Sequence, residues 1–407
     1  MKVVMLTNVV APDKLGGLER YVRELSAALV RRGREVTVVS KSTSPELVPD
    51  EVGDDGVRIL RYAAPQKSDP LFALKYPRAI SSAVRKELAQ IGSDNSNPDT
   101  VVHGHFPLPM LALRRQRTPY VYTFHAPVHK EILGERQGTY RLPRFAQTPA
   151  VNGLRLLEAS VLRRAAHVTT LSRFVHDEMA AMTGSSTPPW TLIPGGLDTE
   201  RFSPGLSGDV GFANRPLIVA ARRLVERTGV ENLVAAMPDV LSHHPTTQLV
   251  ITGDGPRGPH IARYISDHGL GENVHLLGRV SDDELLALYR AADLTVTPTF
   301  ELEGFGLSTA ESMACGTPAL VTPVGANPEV VRELGDRFIA ASYSGADIAT
   351  RIITLLDDPG YLAEVRSKCR DIVHPSMSWD HVAEQFCKIY DETLHERGVA
   401  RASKFRT

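Results

Sequence analysis

The chain has 407 residues, of which 42% are hydrophobic and 23% charged, ordinary proportions for a globular protein of two to three domains. Its 46 basic and 47 acidic side chains leave a net charge of -1, so no overall positive field draws it to nucleic acid. Three widely spaced cysteines, Cys315, Cys369 and Cys387, argue against a disulfide framework or a cysteine-rich zinc site and fit a reducing compartment.

The opening MKVVMLTNVVAPDKLGG carries an apolar run too short to span a bilayer and reads as a first buried strand rather than a signal peptide. No run of about 18 apolar residues follows. The expectation is a cytoplasmic protein, with peripheral membrane contact left open. VVMLT (3–7) precedes a helical pattern through YVRELSAALVRRG (21–33), closed by Gly33. Strands are then predicted at 35–40, 57–62, 100–103, 120–124, 167–171 and 191–194, with helical patterns filling much of the space between. The Gly-, Pro-, Ser- and Asp-rich stretch 198–216 reads as a linker. Alternation restarts with strands at 217–221, 248–253, 273–278, 293–298 and 318–322. SWDHVAEQFCKIYDETLHERG (378–398) reads as one long amphipathic helix, and the basic tail VARASKFRT is expected to fray.

Strand–helix alternation of this kind predicts an α/β fold, with two doubly wound, mostly parallel Rossmann-like sheets facing a central cleft. Ligands in such sheets bind beyond the carboxyl ends of strands, at helix N-termini. The motifs do follow strands. TFELEGFGLSTAESMACGTPALVTPVGANPEV (299–330) places Glu303, then Gly304-Phe305-Gly306, then a helix beginning near Leu307 and carrying Glu311. Glycines let backbone approach a ligand closely, and the free N–H groups of the helix start suit a diphosphate. The two glutamates, with seven residues between them, flank that nest. They suit an uncharged polyol on either side of the anion: Glu303 by accepting from sugar hydroxyls, Glu311 by reaching, about two turns into the helix, toward a ribose diol.

This segment resembles the Glu-x7-Glu signature of retaining GT-B glycosyltransferases, specifically family 4, and the resemblance covers nearly the whole chain. It implies that VITGDGP (250–256) is a strand-turn in which Gly253 permits close approach, and that backbone near Leu277, Gly278 and Arg279 contacts the nucleobase. Ser281 with Glu284 reads as a capping box. IPGGLDTERFSP (193–204) is similar to the family hinge, with Gly195 where Asn is common, and the C-terminal helix to one that crosses back onto the first domain. The implied domains are 1–195, joined by 378–407, and 205–377.

The family supplies two diphosphate cations in G-R-L-x-x-x-K-G. Here the segment is ARRLVERTGVENL (221–233). Arg223 matches the family arginine, whereas the family lysine falls on the neutral Thr228. Arg227 is the preferred substitute, ahead of Arg222, since a guanidinium grips phosphate in two-pronged fashion.

In the first half, KLGGLERYVRELSAAL (14–29) resembles the family loop whose two glycines, here Gly16 and Gly17, approach the donor phosphates and the acceptor. His125, in TFHAPVHKE (123–131), matches the family histidine beside the transferred sugar. In VVHGHF (101–106), His105 is the cleft candidate, while His103 reads equally as a satisfied core side chain. His129 and Lys130 are expected to face the acceptor. The arginine-rich stretch 130–166 suits an anionic acceptor, a membrane surface or a solvated helix face. Ser172 matches a family strand-end serine and reads equally as a helix N-cap.

The resemblance implies retaining transfer of a hexose or N-acetylhexosamine from a nucleotide sugar, UDP-linked for preference, to a hydroxyl of a glycan, lipid or small metabolite. Catalysis would rest on His125, Arg223, Arg227 and Glu303, with domain closure completing the site. No cofactor and no obligatory metal are expected, because arginines and helix dipoles hold the diphosphate and no acidic ligand accompanies the histidine pairs. The alternatives are a non-catalytic sugar-nucleotide-binding partner, which Thr228 keeps open, and a GT-B epimerase. A nicotinamide dehydrogenase is disfavoured, since no G-x-G-x-x-G follows the first strand.

Overall fold

The computed structural model describes residues 1–14, 16–65, 72–90, 99–114, 118–134, 144–206, 210–212 and 216–404. The chain divides into two compact units, one of Met1–Lys130, Arg141–Gly196 and Trp379–Thr407, the other containing Leu197–Ser378.

The first unit is built on an eight-stranded sheet. Its strands are β1 (Lys2–Leu6), β2 (Glu35–Lys41), β3 (Asp50–Val52), β4 (Arg58–Tyr62), β5 (Thr100–Gly104), β6 (Tyr120–Phe124), β7 (His167–Thr170) and β8 (Trp190–Leu192). They lie in the order β3-β4-β2-β1-β5-β6-β7-β8. Every pairing is parallel except β3 on β4, an edge pairing with no counterpart in the sequence reading. The three residues of β3 are all exposed, so no apolar alternation marks it. Helices α1 (Gly17–Arg31), α2 (Phe72–Gln90), α3 (Val128–Gly134), α4 (Arg144–Arg164) and α5 (Arg173–Thr183) connect the strands. Near-continuous apolar strands such as β6 are buried on both faces, as a parallel sheet requires. Val4, Leu6, Val102, Tyr122, Phe124 and Val168 share one core with Ile80 of α2, Leu162 of α4 and Met179 of α5.

The second unit has a five-stranded, wholly parallel sheet: β9 (Leu217–Ala221), β10 (Gln248–Thr252), β11 (Val274–Gly278), β12 (Leu294–Thr297) and β13 (Ala319–Val321), in the order β11-β10-β9-β12-β13. Around it stand α6 (Val230–His243), α7 (Gly258–Asp267), α8 (Asp282–Ala291), α9 (Leu307–Ala314), α10 (Asn327–Val331), α11 (Gly345–Leu356) and α12 (Pro359–Val373). Ser281 and Glu284 form the expected capping box at α8. Ser172 caps α5 through its hydroxyl.

Two boundaries differ from expectation. The start of the 198–216 linker is packed, not loose. Phe202 is fully buried, and Arg370 donates to the Thr199 and Phe202 carbonyls while Arg290 donates to that of Ser203. The last helix, α13 (Trp379–Lys404), continues through most of the tail expected to fray. It belongs to the first unit, where Trp379 lies edge-on to Tyr21 at 5.2 Å and Phe386 and Tyr390 are fully buried. Its pairs to α1 and the turn after it, Arg31–Asp380, Arg32–Glu384 and Arg34–Asp391, are mostly exposed. Such pairs contribute under about 1 kcal/mol each, so aromatic burial holds the helix. No helix among the described residues is long and apolar enough to cross a membrane.

Candidate active site

In the second unit the loop from β12 to α9 carries the glutamate motif. Leu302 sits in the left-handed region, with φ 53°, which costs a branched side chain roughly 1–2 kcal/mol. That turn sets Glu303 against Arg222, whose Nη2 donates to the Glu303 Oε2 at 2.6 Å and to the Thr299 Oγ1 at 3.0 Å. The Arg222 Nη1 lies 3.4 Å from the Ser308 Oγ, in the first turn of α9. Thr299 is itself held by Asn327, whose Nδ2 donates to the same hydroxyl at 3.1 Å. Burial alone would push the Glu303 carboxyl up. The Arg222 guanidinium more than reverses this, helped by Arg227 and the Gly306 amide, and Glu303 stays below the usual carboxylate range. It is therefore an anion at neutral pH.

Gly306 is the N-cap of α9, with φ 89°, and a side chain there would press on the Asn327 Oδ1 at 2.7 Å. Gly304 and Phe305 form the rest of the turn, with Phe305 buried, and Leu307 opens the helix, whose first amides have no intrahelical acceptor. Glu311 is the fifth residue of α9, little more than one turn in rather than two, and is 5% exposed. The Tyr289 hydroxyl donates toward its Oε2 at 3.5 Å.

The arginine segment leaves β9 directly. Arg223 is exposed. Arg227, the preferred substitute cation, is tied to the loop before Glu303. Its Nη1 donates to the Leu302 carbonyl at 3.0 Å, and its backbone carbonyl accepts from the Phe300 and Glu301 amides at 2.9 and 3.1 Å. It braces the left-handed turn before Glu303. Thr228 is buried and donates to the Arg223 and Val225 carbonyls. Gly253 also has a packing reason. With φ 119°, it lies so close to the Arg222 carbonyl that any Cβ would collide with it. Leu277 is 45% exposed at the end of β11, followed by Gly278.

In the first unit His103, His105 and His125 gather at the ends of β5 and β6. His103 is fully buried and satisfied, its Nδ1 2.7 Å from the Tyr390 hydroxyl and its Nε2 2.7 Å from the Thr123 Oγ1. The His105 Nδ1 and His125 Nε2 lie 3.2 Å apart, with Tyr21 edge-on to His125 at 4.7 Å. Burial pushes all three imidazoles down, His125 to about 3, so each is neutral at pH 7. A neutral His125 then bonds to His105 through one donor and one acceptor nitrogen. His129 is turned inward. Its Nδ1 meets the Glu158 Oε2 at 2.6 Å, and Glu158 also accepts from the Val128 and His129 amides. Lys130 pairs with Glu178 at 2.6 Å. Both residues expected to face an acceptor thus have partners within their own unit. Gly16 is the extended N-cap of α1, and the space where a Gly17 side chain would stand is open. Among the described residues, no group of three or more His, Cys, Asp or Glu could hold a metal ion.

The family model for Glycosyltransferase Family 4 matches residues 15–201, and that for Glycosyl transferases group 1 matches residues 209–372. The chain belongs to the group 1 glycosyltransferases. Glycogen synthase of Mycobacterium tuberculosis is 28% identical over 96% of this glycosyltransferase and 94% of that protein. Sucrose-phosphate synthase from Thermosynechococcus elongatus shares the fold with a TM-score of 0.79, at 22% identity, over 97% of this chain and 99% of the other. Anabaena HepE, solved in complex with UDP-glucose, superimposes with a TM-score of 0.73 at 18% identity, over 96% and 100%. The architecture is GT-B, as the sequence implied.

Sequence reasoning ranked Arg227 above Arg222 in this glycosyltransferase, and it did not single out Thr299, Asn327, Tyr289, Tyr21, Tyr390 or Glu158. Each acts through a partner 20 or more residues away.

Proposed function

We propose that this glycosyltransferase moves a hexose or N-acetylhexosamine from a UDP-sugar to a hydroxyl of a glycan, lipid or small-metabolite acceptor, with retention at the anomeric carbon. The observation that carries the reading is the anionic Glu303 set beside the glycine turn at the start of α9, with Arg222 and Arg227 around it. As the bond to the anomeric carbon breaks, negative charge grows on the departing diphosphate. Arg223 and the first-turn amides of α9 stabilise it. Glu303 holds sugar hydroxyls, Glu311 the ribose, and backbone at Leu277 and Gly278 the base. By resemblance Gly16 and Gly17 approach the phosphates, and the space where a Gly17 side chain would stand is open.

A front-face displacement through an oxocarbenium-like state suits this arrangement. The departing phosphate oxygen takes the acceptor proton, and the role that resemblance gives His125, beside the transferred sugar, suits a neutral hydrogen-bonding group. The diphosphate is held by arginine and helix N–H groups, so the reading calls for no cofactor and no obligatory metal. His105 lines the acceptor side through His125. The local partners of His129 and Lys130 favour a supporting role for both. UDP is preferred by resemblance, and HepE in complex with UDP-glucose supports that choice.

The test is a binding and hydrolysis screen of the purified protein against UDP-, GDP-, ADP- and dTDP-sugars, run beside Glu303→Ala and Arg223→Ala. Selective binding of UDP-sugars with slow hydrolysis, lost in both variants, is the expected result. Binding without hydrolysis or transfer to any acceptor would favour the non-catalytic reading to which the neutral Thr228 points. No binding at all would sink both.

A further inference from the structure

The β9–α6 turn of this chain differs from its family at two linked positions. Where the family pattern has glycine followed by arginine, and lysine six residues after that glycine, this chain has Arg222, Arg223 and the neutral Thr228. We propose that Arg222 is the second diphosphate cation of this enzyme, replacing the charge missing at Thr228, and that Arg227 is a positioning residue for the Glu303 turn. This rests on the donor-site reading above and deepens it.

Three observations carry the assignment. The Arg222 guanidinium reaches the start of α9, with Nη1 3.4 Å from the Ser308 Oγ and Nη2 bonded to Glu303 and Thr299. The side chain is only 10% exposed, and its Nε, like that of Arg227, is buried without a hydrogen-bond partner. Such a fork has donors to spare for an anion. The charge balance also asks for one. Arg222, Arg227 and the positive end of α9 converge on the single carboxylate of Glu303. Thr228 cannot supply or accept this charge, because its hydroxyl is spent on two backbone carbonyls of its own turn.

Arg227 is tied to the main chain of the loop before Glu303. Its Nη1 holds the Leu302 carbonyl and its main chain holds Phe300 and Glu301, the residues leading into the left-handed turn. Losing it would misplace Glu303 while leaving the phosphate cation in position. The two arginines therefore differ in what they control: Arg222 the diphosphate affinity, Arg227 the turnover of bound donor.

Calorimetric titration of UDP, GDP and ADP against uridine, guanosine and adenosine separates the terms. Arg222→Gln should weaken nucleoside diphosphate binding ~10- to 100-fold and leave the nucleoside unchanged, as expected for lost charged hydrogen bonds. Arg222→Lys should fall between. The double variant Arg222→Gly with Thr228→Lys, which restores the family arrangement, should recover most of the lost affinity, a result that misfolding could not produce. Arg227→Met should keep diphosphate affinity within about 3-fold and lower kcat in donor hydrolysis. Diphosphate binding that survives Arg222→Gln but fails in Arg227→Met would overturn the assignment and leave the donor site standing. Wild-type protein that binds no diphosphate better than its nucleoside would overturn both.

Discussion

Lowering the pH should unfold the first unit well before any carboxylate titration would. His103 and His105 are 0% and 3% exposed, and burial holds both imidazoles well below their usual value. In the unfolded chain each protonates near pH 6.5. Below that pH the unfolded state binds more protons than the native one, so stability falls as pH falls. One unit lower, at pH 5.5, each excluded proton costs on the order of 1 kcal/mol, so the pair costs a few kcal/mol. His125 adds to the same trend and keeps doing so down to about pH 3. His167, also depressed, acts in the same direction, whereas Glu158, raised by burial, opposes it. The loss is a large share of the ~5–15 kcal/mol that holds a typical domain together. Trp190 and Trp379 are the only two tryptophans and both lie in the first unit, so tryptophan fluorescence during urea unfolding reports that unit alone. The comparison is wild type against His103→Gln. The variant is less stable at every pH, since the Tyr390 hydroxyl loses its partner. Its stability between pH 7.5 and 5.5 should nevertheless fall by on the order of 1 kcal/mol less than that of the wild type. A wild-type curve that is flat over this window, or two parallel curves, would refute the argument that a neutral buried histidine cluster exists.

Three further outcomes follow from local geometry. Gly196→Ala drives a methyl group into the Trp379 ring and should cost about 1–3 kcal/mol in urea unfolding, with a shifted tryptophan emission. Gly306→Ala forces a side chain at φ 89° against Asn327 and should weaken nucleotide-sugar binding while sparing first-unit stability, read by calorimetry and tryptophan fluorescence. Ser281→Ala removes the capping box of α8 and should lower second-unit stability by about 1 kcal/mol with donor affinity unchanged, measured by thermal melting and calorimetry.

Much of the fold was legible because strand and helix differ in apolar period. β6 and β9 fall on the predicted 120–124 and 217–221, and the remaining predicted strands shift by one or two residues. β3 was invisible because a three-residue exposed edge strand buries nothing. The first helix begins at Gly17, ahead of its apolar repeat, with Gly16 as its extended N-cap. In the site, Glu303, Gly306 and Glu311 were readable from one contiguous segment. His105 and His125 were readable from two strand ends. Their partners were not. Tyr390 reaches His103 across 287 positions of sequence, and Arg222 reaches Glu303 across 81.

By itself the sequence determined the two α/β sheets, the order of their strands and helices along the chain, and the motif in which glycine, glutamate and a helix start meet. These follow from periodicity and from neighbours a few residues apart. Only the tertiary structure decided that Arg222 pairs with Glu303, that Arg227 holds the Leu302 carbonyl, that His129 turns to Glu158, and that three histidines share one dry cluster. Charge type is written in the chain, but the direction in which a charged side chain points depends on sheet register and on turns such as Leu302. Those are set by packing between segments that the sequence holds far apart.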